Sequence, residues 1–145
     1  MDYYLLVSSL TLFLQVGVFL LVTSGFLLRK QKLFRAHGLA MFAGVILHLV
    51  SVIVIMVPSF VVGLVPFIAE KPSNVISIVS FPHAIVGSVA AILGVWIVFS
   101  WRLRHGLQFC APKRKWMKLT LWIWLTSLTL GFMLYLALFW SALFG

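Results

Sequence analysis

Four histidines, His37, His48, His83 and His105, are the residues of this sequence best suited to site chemistry. Imidazole ligates haem iron or copper, carries protons near neutral pH, and bonds across packed helices. His48 lies deep within a long apolar stretch, where an ionisable side chain is costly and usually faces a cavity, a cofactor or a partner. His37, Met41, Gly44, His48 and Ser51 fall on one helical face at about 100° per residue. His83, Gly87, Ala90 or Ala91, and Gly94 make a similar stripe. Glycines one and two turns from an imidazole leave a flat slot, and such a slot in a helical bundle suits a porphyrin. Small residues at this spacing also let membrane helices pack closely, and a buried histidine can serve only as an interhelical hydrogen-bond partner. Both readings stand at this point.

On the first reading His48 and His83 are the preferred ligands of a haem b, with Gly44, Gly87 and Gly94 giving the ring room and copper as the alternative metal. His37 and His105 would form a second pair near the opposite membrane surface; taken alone they read as solvated loop-end residues. Other chemistries find no footing. The sequence has no acidic pair for general acid–base work, no CxxC or HExxH, and no phosphate-binding glycine loop. Cys110 has no partner for an intrachain disulfide and reads as a reduced thiol on the cytoplasmic side.

The elements that must position these histidines follow from composition. Of the 145 residues 63% are hydrophobic and 9% charged, too few polar groups to clothe a water-soluble domain. Four stretches, roughly Leu5–Leu28, Gly38–Val57, Pro82–Trp101 and Trp116–Phe139, are long enough to cross a hydrocarbon layer of about 30 Å. The expectation is an all-α membrane protein, a single four-span domain over residues 1–145. The first stretch lacks a basic leader and is expected to be retained as a span. Gln15, with Thr11 and Ser8 at helical spacing, gives that span one polar stripe facing protein.

Between the second and third stretches the chain stays apolar but carries Pro58, Gly63, Pro66 and Pro72. Helix two is therefore expected to stop near Pro58, and 58–81 to form an apolar cap on the outer face. Pro82 then suits the first position of helix three. That start would leave His83 within a turn of the outer end, about 10 Å outward of His48.

Charge placement sets orientation and excludes nucleic acid as the partner of this chain, despite a net charge of +9. Arg29, Lys30, Lys32 and Arg35 lie between spans one and two; Arg102, Arg104, Lys113, Arg114, Lys115 and Lys118 lie between spans three and four. Only Lys71 is elsewhere, and both acids, Asp2 and Glu70, fall on the other side. Positive loops stay in the cytoplasm, so both termini of this cell-membrane protein are expected outside, with the basic loops attracting anionic headgroups.

Lys32-Leu33-Phe34-Arg35-Ala36-His37, Pro82-His83-Ala84-Ile85-Val86-Gly87, and Lys113-Arg114-Lys115-Trp116-Met117 leading to Trp122–Gly131 and Tyr135 resemble the family catalogued as domain of unknown function 420. The resemblance covers about the last three spans. Bacterial members place a basic residue shortly before a histidine at span two, open span three with a histidine, and enter the last span with a His-Arg-Lys motif. Here the last motif lacks its histidine, and His48 is additional. One member is implicated in maturation of haem-copper terminal oxidases. The resemblance thus implies a respiratory, haem-related role: a small b-type cytochrome or haem-handling protein, with quinone or a larger respiratory complex as partner and oligomers allowed. The alternative is a cofactor-free accessory or assembly subunit. On either reading the chain is an electron carrier or accessory protein rather than a stand-alone enzyme.

Overall fold

The computed structural model describes residues 3–101 and 113–144, so His105, Cys110, Arg102 and Arg104 lie outside the described residues. Four helices are present: α1 (Tyr3–Lys30), α2 (Phe34–Glu70), α3 (Val75–Trp101) and α4 (Arg114–Phe144). Each is long and apolar enough to span a membrane, and no strand occurs among the described residues. The chain is a multi-pass, all-α membrane protein with the expected four-helix bundle. α1 packs most closely on α2 and α3 on α4, and the two hairpins join along α1–α4 and α2–α3.

Lipid solvates apolar side chains as well as another helix does, so burial here selects small and polar residues. Gln15, His37, His48, Ser51, Ser77, Ser80 and Ser127 are buried, whereas Phe13, Phe99 and Trp122 face outward. The apolar centre is small: Val18, Ala90 and Trp124, flanked by Val22, Leu47, Leu121 and Leu128. Gly44 approaches Val22, where an added Cβ would lie 3.4 Å from its Cγ2, and Gly94 approaches Val45 at the same distance. These two glycines seat helix against helix.

α1 ends in a Schellman turn at which Leu33 N–H donates to the Leu28 carbonyl and Lys32 N–H to that of Arg29, both at 3.0 Å. Lys32 takes the left-handed position of this turn at φ 62°, where glycine is usual.

Two expectations about proline are overturned. α2 does not stop at Pro58; it continues to Glu70, and 58–70 are helix rather than a separate cap. Two π-helical turns, Val52–Met56 and Phe60–Leu64, each end just before a Val-Pro pair, Val57-Pro58 and Val65-Pro66. Proline lacks an N–H and collides with the carbonyl one turn back; a widened turn re-registers the chain so that the residue before it bonds five back instead. Val57 N–H accordingly reaches the Val52 carbonyl, and Val65 N–H that of Phe60.

The widened turns have a second effect. The half-buried residues of this segment are 52, 55, 56, 59, 60, 63, 64, 67 and 68, a repeat of four, and both Val-Pro pairs lie on the exposed side. A helix of 3.6 residues per turn would carry a four-residue repeat steadily around its axis. Slackened to about four per turn, α2 keeps one face toward the bundle.

Pro82 likewise is not the start of helix three. α3 begins at Val75, with Asn74 Oδ1 accepting from Ile76 N–H at 2.9 Å, and Pro82 lies exposed inside the helix. His83 is therefore eight residues, or about 12 Å, deep in α3 rather than at its rim. The expected position of His83 at the outer rim was a product of the misplaced start.

Candidate functional site: a two-histidine cavity

Where the distal half of α2 stands off from its neighbours, a cavity of about 560 Å³ opens among all four helices. Its walls are mostly apolar. Val52, Ile55, Met56, Ser59, Phe60, Gly63, Leu64 and Phe67, the inward face of α2, form one side. Ser8, Thr11 and Gln15 bring the polar stripe of α1 to another, so the expected protein-facing stripe is observed. Trp124 closes the inner end, with the Phe19 ring stacked on it at 6.3 Å between centroids.

His48 and His83 both line this cavity. Gln15 Nε2 donates to Ser51 Oγ at 3.3 Å, which leaves Gln15 Oε1 to accept from His48 Nδ1 at 3.1 Å. All three side chains are buried. The relay fixes the His48 tautomer with its proton on Nδ1 and a lone pair on Nε2, and the ring stands edge-on to Trp124 at 6.4 Å and 89°. His48 Nε2 is buried and without a hydrogen-bond partner. Leaving such an atom unpaired costs roughly 1–3 kcal/mol.

His83 is set by different means to the same end. Its Nδ1 donates to the Ser127 carbonyl at 2.9 Å, again leaving Nε2 as the lone-pair nitrogen. The ring lies over Gly131, where an added Cβ would fall 2.8 Å from Cε1 and 3.6 Å from Nε2. On α3 the reciprocal gap is at Gly87, whose added Cβ would lie 3.0 Å from Ser127 Oγ. A His-x-x-x-Gly stripe on α3 thus interlocks with Ser127-x-x-x-Gly131 on α4.

The sequence-based site residues divide accordingly. His48, His83 and Gly87 meet at the cavity, while Gly44 and Gly94 pack against helices away from it and make no room for a ring there. His37 is not a solvated loop-end residue: it is buried, its Nδ1 donating to the Gly25 carbonyl at 2.7 Å, because α2 begins at Phe34 and carries it inside. It does not line the cavity. The proposed partner of His37, His105, falls outside the described residues. Gly131 was not anticipated, although its four-residue spacing from Ser127 was a usable signal.

What these features define is a polytopic membrane protein with two imidazoles presented to one intramembrane cavity. No family model, curated protein or solved structure matches the chain.

Proposed function

We propose that the cavity binds haem b, that His48 Nε2 and His83 Nε2 would hold its iron, and that the chain is a small membrane cytochrome or haem-handling protein. The unpartnered, buried Nε2 of His48 carries this reading. A metal-ligating histidine typically has its other ring nitrogen tied to an acceptor, and both imidazoles are held that way, one by Gln15 and one by the Ser127 carbonyl. Among the described residues no group of three or more His, Cys, Asp or Glu could hold a metal ion. Two imidazoles fall short of the donor set that a free zinc or copper ion usually takes from protein, whereas a porphyrin brings four donors of its own and asks the protein only for axial ones. This favours haem over copper. Bound haem would supply one-electron transfer.

Residues of the chain do the rest. Gln15 and Ser127 orient the rings, Trp124 and the apolar face of α2 exclude water, and Gly131 lets the His83 imidazole lie flat. The positive-inside arrangement supports basic loops in the cytoplasm and both termini outside the cell membrane. Resemblance to a family with a member implicated in haem-copper oxidase maturation supports a respiratory setting.

The test is a dithionite-reduced minus oxidised spectrum of the protein purified with haem present. A low-spin α-band is expected in the wild type. His48→Ala should lose most of the haem, and His83→Ala should leave none or a five-coordinate, high-spin form. A wild type that retains no haem replaces this reading with that of a cofactor-free accessory subunit.

A further inference from the structure

We infer that Lys71 binds a carboxylate at the mouth of the cavity, so that the ligand is an apolar plate carrying acid groups on the edge opposite Trp124. The inference rests on the two-histidine reading and adds to it the residue of this chain that meets the acid edge of the ligand.

The observations begin with charge. Ten of the eleven Lys and Arg residues occupy the two basic connections, and Lys71 alone is at the other end of the bundle. It sits in the short turn between α2 and α3, both of which wall the cavity. Phe67 and Ile76 line the cavity on either side of that turn, and the Lys71 ammonium lies 5.8 Å from the Phe67 ring centroid. Lys71 is exposed, so its long stem can reach along the apolar rim while the charge stays in the polar layer.

The turn is built to hold that residue still. The Lys71 carbonyl accepts from Ser77 Oγ at 2.7 Å and from Asn74 N–H at 3.2 Å. Ser77 is itself buried at the start of α3. By helical rise the turn lies about 12 Å outward of His83. The cavity therefore has His48 and His83 deep inside and apolar walls further out, and Lys71 follows its lining residue Phe67 by four positions. A neutral apolar ligand would make no use of that cation; a plate with carboxylates at one edge would meet all three zones. Glu70, the neighbouring acid, opposes an anion, which leaves Lys71 as the cationic side chain at that end among the described residues.

The experiment titrates the full-length protein in nanodiscs with hemin and with hemin dimethyl ester, whose acid groups are capped. Wild type, Lys71→Ala, Lys71→Arg and, as a control at the opposite end, Lys32→Ala are followed by Soret absorbance. An interfacial ion pair of ordinary strength predicts that Lys71→Ala weakens hemin binding roughly fivefold and leaves the diester unchanged. Lys71→Arg should restore the preference for the diacid, and Lys32→Ala should match wild type. Equal loss of both ligands in Lys71→Ala, or no loss of either, overturns the role of Lys71 while leaving the histidine site intact. Absence of any Soret shift in the wild type overturns the histidine site and the inference with it.

Discussion

The two halves of α2 are one continuous helix with opposite uses. Phe34–Ser51 is regular and buries His37, Gly38, Gly44, His48 and Ser51 against its neighbours. From Val52 to Glu70 it alternates α and π turns and contributes no fully buried residue. The first half joins helices together; the second stands away from them and becomes the wall of a cavity. His37 and His48 bring out the same contrast. Both are buried with Nδ1 satisfied, but His48, at the junction of the halves, lines the cavity and keeps a buried Nε2 without a partner, whereas His37 lies away from the cavity. Burial of a histidine in a membrane bundle is thus not by itself a sign of ligation; what distinguishes His48 is the change in helix character that begins just beyond it.

The sharpest way to break the contrast is to add the same bulk to each half. Gly44→Leu drives a side chain into Val22 and Leu21 and should lower unfolding stability in detergent by about 3 kcal/mol, the upper range for overpacking. Gly63→Leu projects into the cavity instead. It should change stability by less than about 0.5 kcal/mol yet block hemin binding. Equal destabilisation by the two would show that the distal half is packed like the proximal one.

A smaller effect on stability, but a larger one on shape, is expected from replacing Pro58 and Pro66 together by alanine. With the N–H groups restored the helix can recover 3.6 residues per turn. Over the twelve residues from Ile55 to Phe67 that would rotate Phe67 by about 120° out of register. Single cysteines at Ser59, Gly63 and Phe67 should share one accessibility in the wild-type background and diverge in the double variant. An unchanged pattern would mean that the π turns do not depend on the prolines.

The smallest expected effect lies at the turn where the regular half begins. Lys32→Gly relieves a left-handed non-glycine residue and should raise stability by about 1 kcal/mol, read as an increase in the thermal midpoint.

The regular half was legible in the sequence because membrane depth and the 3.6-residue period acted together: Gly44, His48 and Ser51 were correctly grouped on one face. The distal half was misread because proline was taken as a stop. That rule assumes the freed carbonyl must go unpaired or to water, whereas a membrane helix re-pairs it by widening the turn. A signal for this was present in Ser51, Ile55, Ser59, Gly63 and Phe67, spaced by four throughout, and in the repeated Val-Pro eight residues apart. The same misreading displaced the start of α3 and set His83 too near its outer end, although the sequence already paired it with His48. Gly131 was illegible for a different reason: its importance comes from a ring on another helix, and no spacing within α4 alone reveals what it accommodates.

The length of α2 ties this site to the membrane around it. Its 37 residues would measure on the order of 55 Å if straight, against a hydrocarbon layer of about 30 Å. Mismatch of that size is relieved by tilt, bending or local thickening of the bilayer. The two slackened turns are where bending is easiest, and they are also the cavity wall. Acyl-chain length is therefore a variable to set when the site is measured, because the helix that must accommodate the mismatch is the one whose distal half walls the cavity.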